Sequence, residues 1–416
     1  MTDAAAAVEE VWRTESSRLL GALLRITRDV GRAEDLAQEA LAQALAQWPS
    51  TGVPDNPAAW LMTTAKRRAI DQFRAGERRL RAYAEVAAGA AAAYEEAFEV
   101  DHLEDDVLRL MFVCCHPSLT DDTRTVLTLR MVAGLTSREI ARAYLTSEAT
   151  VATRISRAKR TLATARAALE EPTGAERAAR LGSVMAVLYL LFNEGYAATA
   201  GVDWTRPALC REAVRLATLL STVAPREPEA HGLLALLELQ SSRLDARLDA
   251  AGDAVLLADQ DRTRWDRAAI ERGLTALGAA LELGGDGPHV LQAAIAAEHA
   301  RAASVEDTDW PRVAALYERL AHATGSAVVE LNRAVALGMA RGPEIGLQLL
   351  DQVAPLLPDH HLVPSVRGDL LARLGRADEA VASFRTAAAL ATNDRERALL
   401  ERRARDLEAS RSGGGT

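Results

Sequence analysis

Between Glu148 and Arg160 the side chains able to do chemistry are hydroxyls and guanidiniums: Thr150, Thr153, Arg154, Ser156, Arg157 and Arg160. Set out at about 100° per residue, Val151, Ile155, Ala158 and Leu162 fall on one side of a helix. Ala149, Thr150, Thr153, Ser156, Arg157 and Arg160 occupy the opposite arc. Small and hydroxyl-bearing residues near a helix N-terminus allow close approach to base edges, and arginines further along reach guanine or phosphate. The chemistry implied is sequence-reading of duplex DNA, with Glu148 and Arg154 completing the candidate set. A solvated amphipathic helix has the same pattern.

A second cluster lies in "NPAAWLMTTAKRRAIDQFRAGERRLR", residues 56–81. Met62, Ala65, Ala69 and Phe73 form one helical stripe, and the far side presents Trp60, Thr63, Thr64, Arg67, Asp71 and Arg74. Unpaired bases stack on aromatic rings while arginines follow the backbone, so this face suits single-stranded DNA. The alternative is that Trp60 packs into a neighbouring helix.

These side chains need helices to carry them, and the local signals supply them. Thr136-Ser137-Arg138-Glu139 fits a capping box. The helix it opens runs to about Tyr144, residues 145–147 make a turn, and Ser147 caps the next helix. That is the outline of a helix–turn–helix. Pro57 marks a helix start. Upstream, "DVGRAEDLAQEALAQALAQW" (residues 29–48) is an amphipathic helix with Glu34 and Asp35 expected in its first turn, suited to the helix dipole and to a basic partner.

The chain has 416 residues and a formal net charge of −9, yet the charge is segregated. Residues 60–81 and 137–166 each hold seven basic and two acidic residues, while residues 85–106 hold eight acids and no Lys or Arg. Two basic modules on an acidic linker follow from this, the linker being able to fold over them and mimic DNA. Hydrophobic content of 49% with only 4% aromatics favours helices packed by Ala, Leu and Val. Three cysteines make no disulfide framework and fit a reduced, cytoplasmic setting. No signal peptide is expected, and the longest apolar run, Val184–Phe192, is too short to span a bilayer.

Other candidates for chemistry are weaker. Cys114-Cys115-His116 lacks a second ligand pair at finger spacing and reads as core. "DQDRTRWD" (residues 259–266) could be a carboxylate site but reads as a salt-bridged helix start. Glu194 in "LFNEGY" serves a ligand or a helix turn. No phosphate-cradling glycine loop is present. Neither an enzymatic activity, a metal nor a cofactor is expected.

The order of these parts resembles an alternative sigma factor of the extracytoplasmic-function group. "RAEDLAQEAL" is similar to the part of the first sigma domain that docks on the clamp helices of RNA polymerase, which would make Asp35, Leu36, Gln38 and Glu39 the contact surface. "AAWLMTTAKRRAIDQFR" resembles the element that captures the −10 strand, preceded at residues 49–57 by a loop that pockets a flipped base. The family often has Asn where this chain has Arg67. "RTVLTLRMVAGLTSREIARAYLTSEATVATRISRAKRTL" resembles the second domain, which reads the −35 element. The resemblance implies core RNA polymerase, through clamp helices and flap, and promoter DNA as partners.

Beyond residue 175, Gly368, Leu371, Gly375, Ala380, Phe384 and Ala387 fall at tetratricopeptide spacings. Ala334, Leu337, Gly346 and Leu350 stand 34 positions before Gly368, Leu371, Ala380 and Phe384. "LMFVCCHPSL", "LYLLFNEGY" and "LLADQDRTRWD" resemble a subgroup of these sigma factors with a tetratricopeptide-like extension, which implies regulation through the tail; the tail is expected either to clamp polymerase or the sigma domains, or to sense a protein or small ligand and release inhibition. The expected fold is all-α. A sigma region 2 domain covers 8–82, an acidic linker 83–106, a region 4 domain 107–168 and a helical regulatory domain 175–410. The expected function is promoter-specific initiation with core polymerase; the alternative is a stand-alone helix–turn–helix activator with a repeat sensor.

Overall fold

A computed structural model describes residues 3–81, 103–144, 146–165, 174–196, 207–249, 255–391 and 394–413. The described residues are predominantly helical, with no β-strand, as the composition leads one to expect. They fall into two compact units, residues 1–190 with 222–224, and residues 191–221 with 225–416.

In the first unit α1 (Asp3–Thr27), α2 (Val30–Thr51) and α3 (Pro57–Arg81) pack on one another. They are followed by α4 (Leu103–Cys114), α5 (Asp121–Met131), α6 (Ser137–Ala143), α7 (Glu148–Thr164) and the start of α8 (Gly174–Tyr196). Most of the expected acidic linker lies outside the described residues, and so does its proposed fold over the basic modules. Its last residues are helical, because α4 begins at Leu103. Asp106 is buried there and receives Arg25 Nε from α1 at 2.9 and 3.0 Å and Arg109 at 3.2 Å. A β-carbon on Gly21 of α1 would lie 2.6 Å from the Asp106 carbonyl oxygen, so glycine permits the α1–α4 contact. Gly21→Ala gains ~1 kcal/mol of helix propensity, but the obstacle is main chain. A net loss of about 1–3 kcal/mol in urea unfolding is expected.

Cys114 and Cys115 are fully buried in α4 and the turn after it. Burial pushes the Cys115 thiol up to about 11, against a weak contact with Thr128 Oγ1. They pack as small hydrophobes.

The second unit holds the end of α8, most of α9 (Pro207–Val223), α10 (Pro228–Ser241), α11 (Arg267–Glu282), α12 (Pro288–Arg301) and α13 (Trp310–Thr324). These continue into α14 (Ala327–Arg341), α15 (Pro343–Val353), α16 (Leu362–Arg373), α17 (Ala377–Leu390) and α18 (Asp394–Gly413). Neighbours in sequence are neighbours in space, and the interior is a series of local cores. Leu291, Val313 and Leu320 form one, Leu331, Leu350 and Leu370 the next, and Leu371, Phe384 and Leu400 another. This is the stacking of a repeat array, in which each pair of helices buries its apolar face on the next.

The 34-residue offset has a packing cause. Gly368 and Ala334 sit at equivalent places in α16 and α14, and Phe384 and Leu350 in the helices that follow, all four buried. A β-carbon on Gly368 would meet the Phe384 ring at 2.6–2.9 Å, and one on Gly346 would lie 2.8 Å from the Ala334 carbonyl. Gly368→Ala is therefore expected to destabilise by about 1–3 kcal/mol, because the buried ring has nowhere to move. A fall in the urea midpoint would register it.

Candidate nucleic-acid interface

The helix–turn–helix is built by the local signals read from the sequence. Thr136 donates its N–H and hydroxyl to Glu139 Oε2 at 2.8 and 2.7 Å, and Glu139 N–H returns a bond to Thr136 Oγ1 at 3.2 Å. Ser147 Oγ accepts from Thr150 N at 3.1 Å and starts α7. Each cap satisfies donors that the first helical turn leaves orphaned. The buried side of α7 is Val151, Ile155, Ala158 and Leu162. Opposite them, Glu148, Ala149, Thr153, Ser156, Arg157 and Arg160 are exposed, and Thr150 and Arg154 are half-buried. Thr153 spends its hydroxyl proton on the Ala149 carbonyl at 2.8 Å, which leaves the oxygen as an acceptor. Arg154 lies 3.9 Å from Asp122, a loose pairing. The hydroxyl and guanidinium face is thus presented as a continuous surface.

On α3, Asn56 Oδ1 accepts from Ala59 N at 3.0 Å and caps a helix that begins at Pro57. Thr63, Arg67 and Asp71 are exposed and Thr64 is half-buried. Arg74 and Phe73 have side chains outside the described residues. Three expectations change. The buried stripe runs through Leu61, Ala65 and Ala69, with Met62 only half-buried, because the four-residue spacing from Leu61 meets α1 and α2. Trp60 is half-buried rather than outward, its ring edge-on to the buried Trp48 at 5.4 Å and 68°. Trp60 thus packs against Trp48 of the neighbouring α2, as the alternative reading has it, and stays partly exposed. The loop before α3 is also shorter than residues 49–57, since α2 continues to Thr51 and ends at Gly52 with φ +83°.

Along α2, Asp35 and Gln38 are exposed. Glu39 is held by Arg68 of α3 at 2.7 Å. Leu36 is 2% exposed and belongs to the core, so it supports that surface from beneath instead of forming it. The helix starts after Asp29, whose side chain accepts from Arg32 N at 2.9 Å. Glu34 consequently lies beyond the first turn, and what it meets is a pair of cations far along the chain. Arg130 of α5 reaches its Oε1 at 2.7 Å, and the Lys159 ammonium of α7 lies against Oε2. Burial works against ionisation of Glu34, but Lys159 and Arg130 outweigh it and hold the carboxyl below its usual range. No local pattern marks this triad; a lone acid on the apolar side of α2 was the available signal.

The triad joins the first three helices to the helix–turn–helix, and it has company. Trp12 Nε1 donates to the Gly134 carbonyl at 2.8 Å. Gly134 has φ +71°, and a β-carbon there would lie 2.5 Å from Ser16 Oγ. The face of α3 and the face of α7 therefore belong to one closed body. No group of three or more metal-ligating side chains occurs among the described residues.

Comparison with known proteins follows the same division. Residues 11–79 match the family described as Sigma-70 region 2, and residues 109–162 match Sigma-70, region 4. The ECF RNA polymerase sigma factor SigK of Mycobacterium sp. (strain KMS) is 33% identical over 147 residues, which cover 33% of this chain and 72% of SigK. SigK of Mycobacterium bovis (strain BCG / Pasteur 1173P2) is 31% identical over 172 residues, 38% of this chain and 84% of that protein.

The chain belongs to the ECF sigma factor family.

What sets this sigma factor apart from the SigK proteins lies after the matched regions. Residues 180–281 match a family of unknown function, DUF6596. An uncharacterized protein of Rhizobium meliloti (strain 1021) is 44% identical over 385 residues, 92% of this chain and 91% of its own length. The helical tail is thus shared along with the sigma regions. Among the described residues no helix is long and apolar enough to cross a membrane.

Proposed function

We propose that this sigma factor binds core RNA polymerase through the exposed side of α2, with Asp35, Gln38 and Glu39 at the contact. In this reading α3 holds the melted −10 strand with Trp60, Thr63, Thr64, Arg67, Asp71 and Arg74. Helix α7 enters the −35 major groove, led by Glu148, Ala149, Thr150 and Thr153 and followed by Arg154, Ser156, Arg157 and Arg160. The supporting observation is the capped α7, which buries four apolar residues and turns its hydroxyls and arginines outward. Family membership supplies the rest.

Two promoter elements 25 positions apart are separated by roughly 80 Å of duplex axis, at ~3.4 Å per base pair. The Glu34 triad and the Trp12–Gly134 bond hold α2 and α1 directly against the helix–turn–helix. The closed body is accordingly read as the resting form, which parts when polymerase and promoter are engaged. The helical tail, residues 175–410, is read as the regulatory domain.

Run-off transcription with core RNA polymerase, on promoters from the source genome, tests the assignment. Specific initiation only when the protein is added is the expected result. Tight duplex binding by the protein alone, without initiation, would overturn it. Truncation after residue 175 then shows the direction of regulation: lost initiation makes the tail a required clamp, constitutive initiation makes it inhibitory.

A further inference from the structure

The second unit contains a cavity of about 500 Å³, within the range typical of small-molecule sites. It is walled by the turn at Leu256–Asp259 and by α12, α13, α14, α16 and α18. Leu257, Val305, Trp310, Val335, Met339 and Leu370 make most of the lining apolar. Two buried polar side chains interrupt it.

Arg262 is 8% exposed. Its Nη1 donates to the carbonyl oxygens of His299 and Ala302, each at 2.7 Å, and these bonds fix the guanidinium plane. Its Nη2 is buried with no hydrogen-bond partner. Among the described residues no carboxylate lies within ion-pairing distance of it; Glu306 and Asp307 act only from further off, and both are exposed. Two of the three acids of its own "DQDRTRWD" segment cap turns instead: Asp261 accepts from Thr263 N at 2.9 Å, and Asp266 from Ala269 N at 3.1 Å. The salt-bridged helix start expected there is a capped one, and the buried cation is left without a counter-ion.

The second group is His299, also 8% exposed, with Nδ1 unpartnered. Its ring meets Trp310 edge-on at 5.3 Å. Burial, with Arg243 and Arg262 nearby, brings its pKa down to about 4, so at neutral pH it is an uncharged imidazole. A desolvated guanidinium with a free N–H, beside a neutral imidazole with a free ring nitrogen, is costly to leave unmatched. The remaining charges narrow what can match it. Arg403 is engaged by Asp369, and the two exposed acids of the lining, Asp259 and Glu306, outnumber its one exposed arginine, Arg373. They disfavour multiply charged groups such as phosphates, and Arg262 disfavours cations.

We propose that this cavity is a binding site for a small amphipathic carboxylate, its single negative charge on Arg262 and His299 and its apolar body along Trp310, Val335 and Leu370. The proposal deepens the reading of the tail as a regulatory domain. Its test needs no transcription, so the two can fail separately.

Calorimetric titration of the full-length protein with octanoate, 2-naphthoate, 1-octanol and octylammonium decides the matter. At least one carboxylate is expected to bind saturably, one per chain, and at least tenfold more tightly than 1-octanol, with octylammonium silent. Val335→Trp, which fills the cavity, should abolish carboxylate binding, and Arg262→Met should remove the preference over the alcohol. Equal affinity for octanoate and octanol would overturn the anion assignment, as would octylammonium binding. No saturable binding by either carboxylate, or binding unaffected in a folded Val335→Trp protein, would overturn the site. Should Arg262→Met not fold, the head-group comparison on the unaltered chain still decides.

Discussion

Arg157→Ala is expected to lower transcription from a promoter bearing the cognate −35 element by about 10- to 100-fold in the run-off assay with core polymerase. The figure follows from the ~1–3 kcal/mol that a bidentate arginine–guanine contact contributes to discrimination. Arg157 is exposed on α7 and away from the buried Val151, Ile155, Ala158 and Leu162, so the substitution leaves packing intact. Thermal unfolding of the variant should therefore match the parent, separating a reading defect from a folding defect. A base-contacting arginine also predicts that the loss is confined to one promoter position. If instead every −35 sequence weakens equally, Arg157 touches phosphate, and the salt dependence of binding should fall by about one unit of slope.

Glu34→Gln carries the second large effect. The side chain keeps its shape and loses its charge, leaving Arg130 and Lys159 facing a neutral amide. Removing one partner of a buried ion pair costs about 3–5 kcal/mol. The 17% and 25% exposure of the Arg130 and Lys159 side chains lets water recover part of that, so roughly 2–3 kcal/mol is expected. The loss should appear as a parting of the two sigma regions before global unfolding, read by energy transfer between dyes on α3 and α7. The pH dependence has a definite sign. The carboxyl of Glu34 is depressed in the closed form, so its contribution is complete above the ordinary glutamate pKa of about 4.3. It is lost as pH falls through the lower, closed-state value. Acid should open the parent protein and leave the Glu34→Gln variant indifferent over that window. An unchanged dye separation in Glu34→Gln at neutral pH would show that the triad does not hold the regions together.

Much of this was legible from short stretches. The Thr136–Glu139 box, the Ser147 cap, the Pro57 start and the buried side of α7 depend on residues within a turn or two of one another, and local geometry obeyed them. The 34-residue recurrence succeeded for a related reason: one helix pair repeats the packing of the previous one. What depends on distance in sequence was not legible. Glu34 is 96 residues from Arg130 and finds Lys159 further still. The burial of Leu36 and the contact of Trp60 with Trp48 follow from how α1, α2 and α3 meet, which no periodicity specifies. Leu61 and Met62 are adjacent hydrophobic residues, so either can head a four-residue stripe, and only the packing of α3 on α1 and α2 selects Leu61. The cavity gathers side chains from residue 256 to residue 403, so only the odd chemistry of "DQDRTRWD" marked its place.

In the proposed resting form, the hold of Gly134 and Asp106 on α1, and of Arg130 and Lys159 on Glu34 of α2, also sets a competition. A chain that must open before it can load presents an apparent affinity reduced by the fraction of time it is open. Each 1.4 kcal/mol favouring the closed form makes it a tenfold poorer rival for a shared, limiting polymerase. The strength of a few internal contacts thereby becomes a ranking among competing specificity subunits, adjustable by single substitutions far from any base.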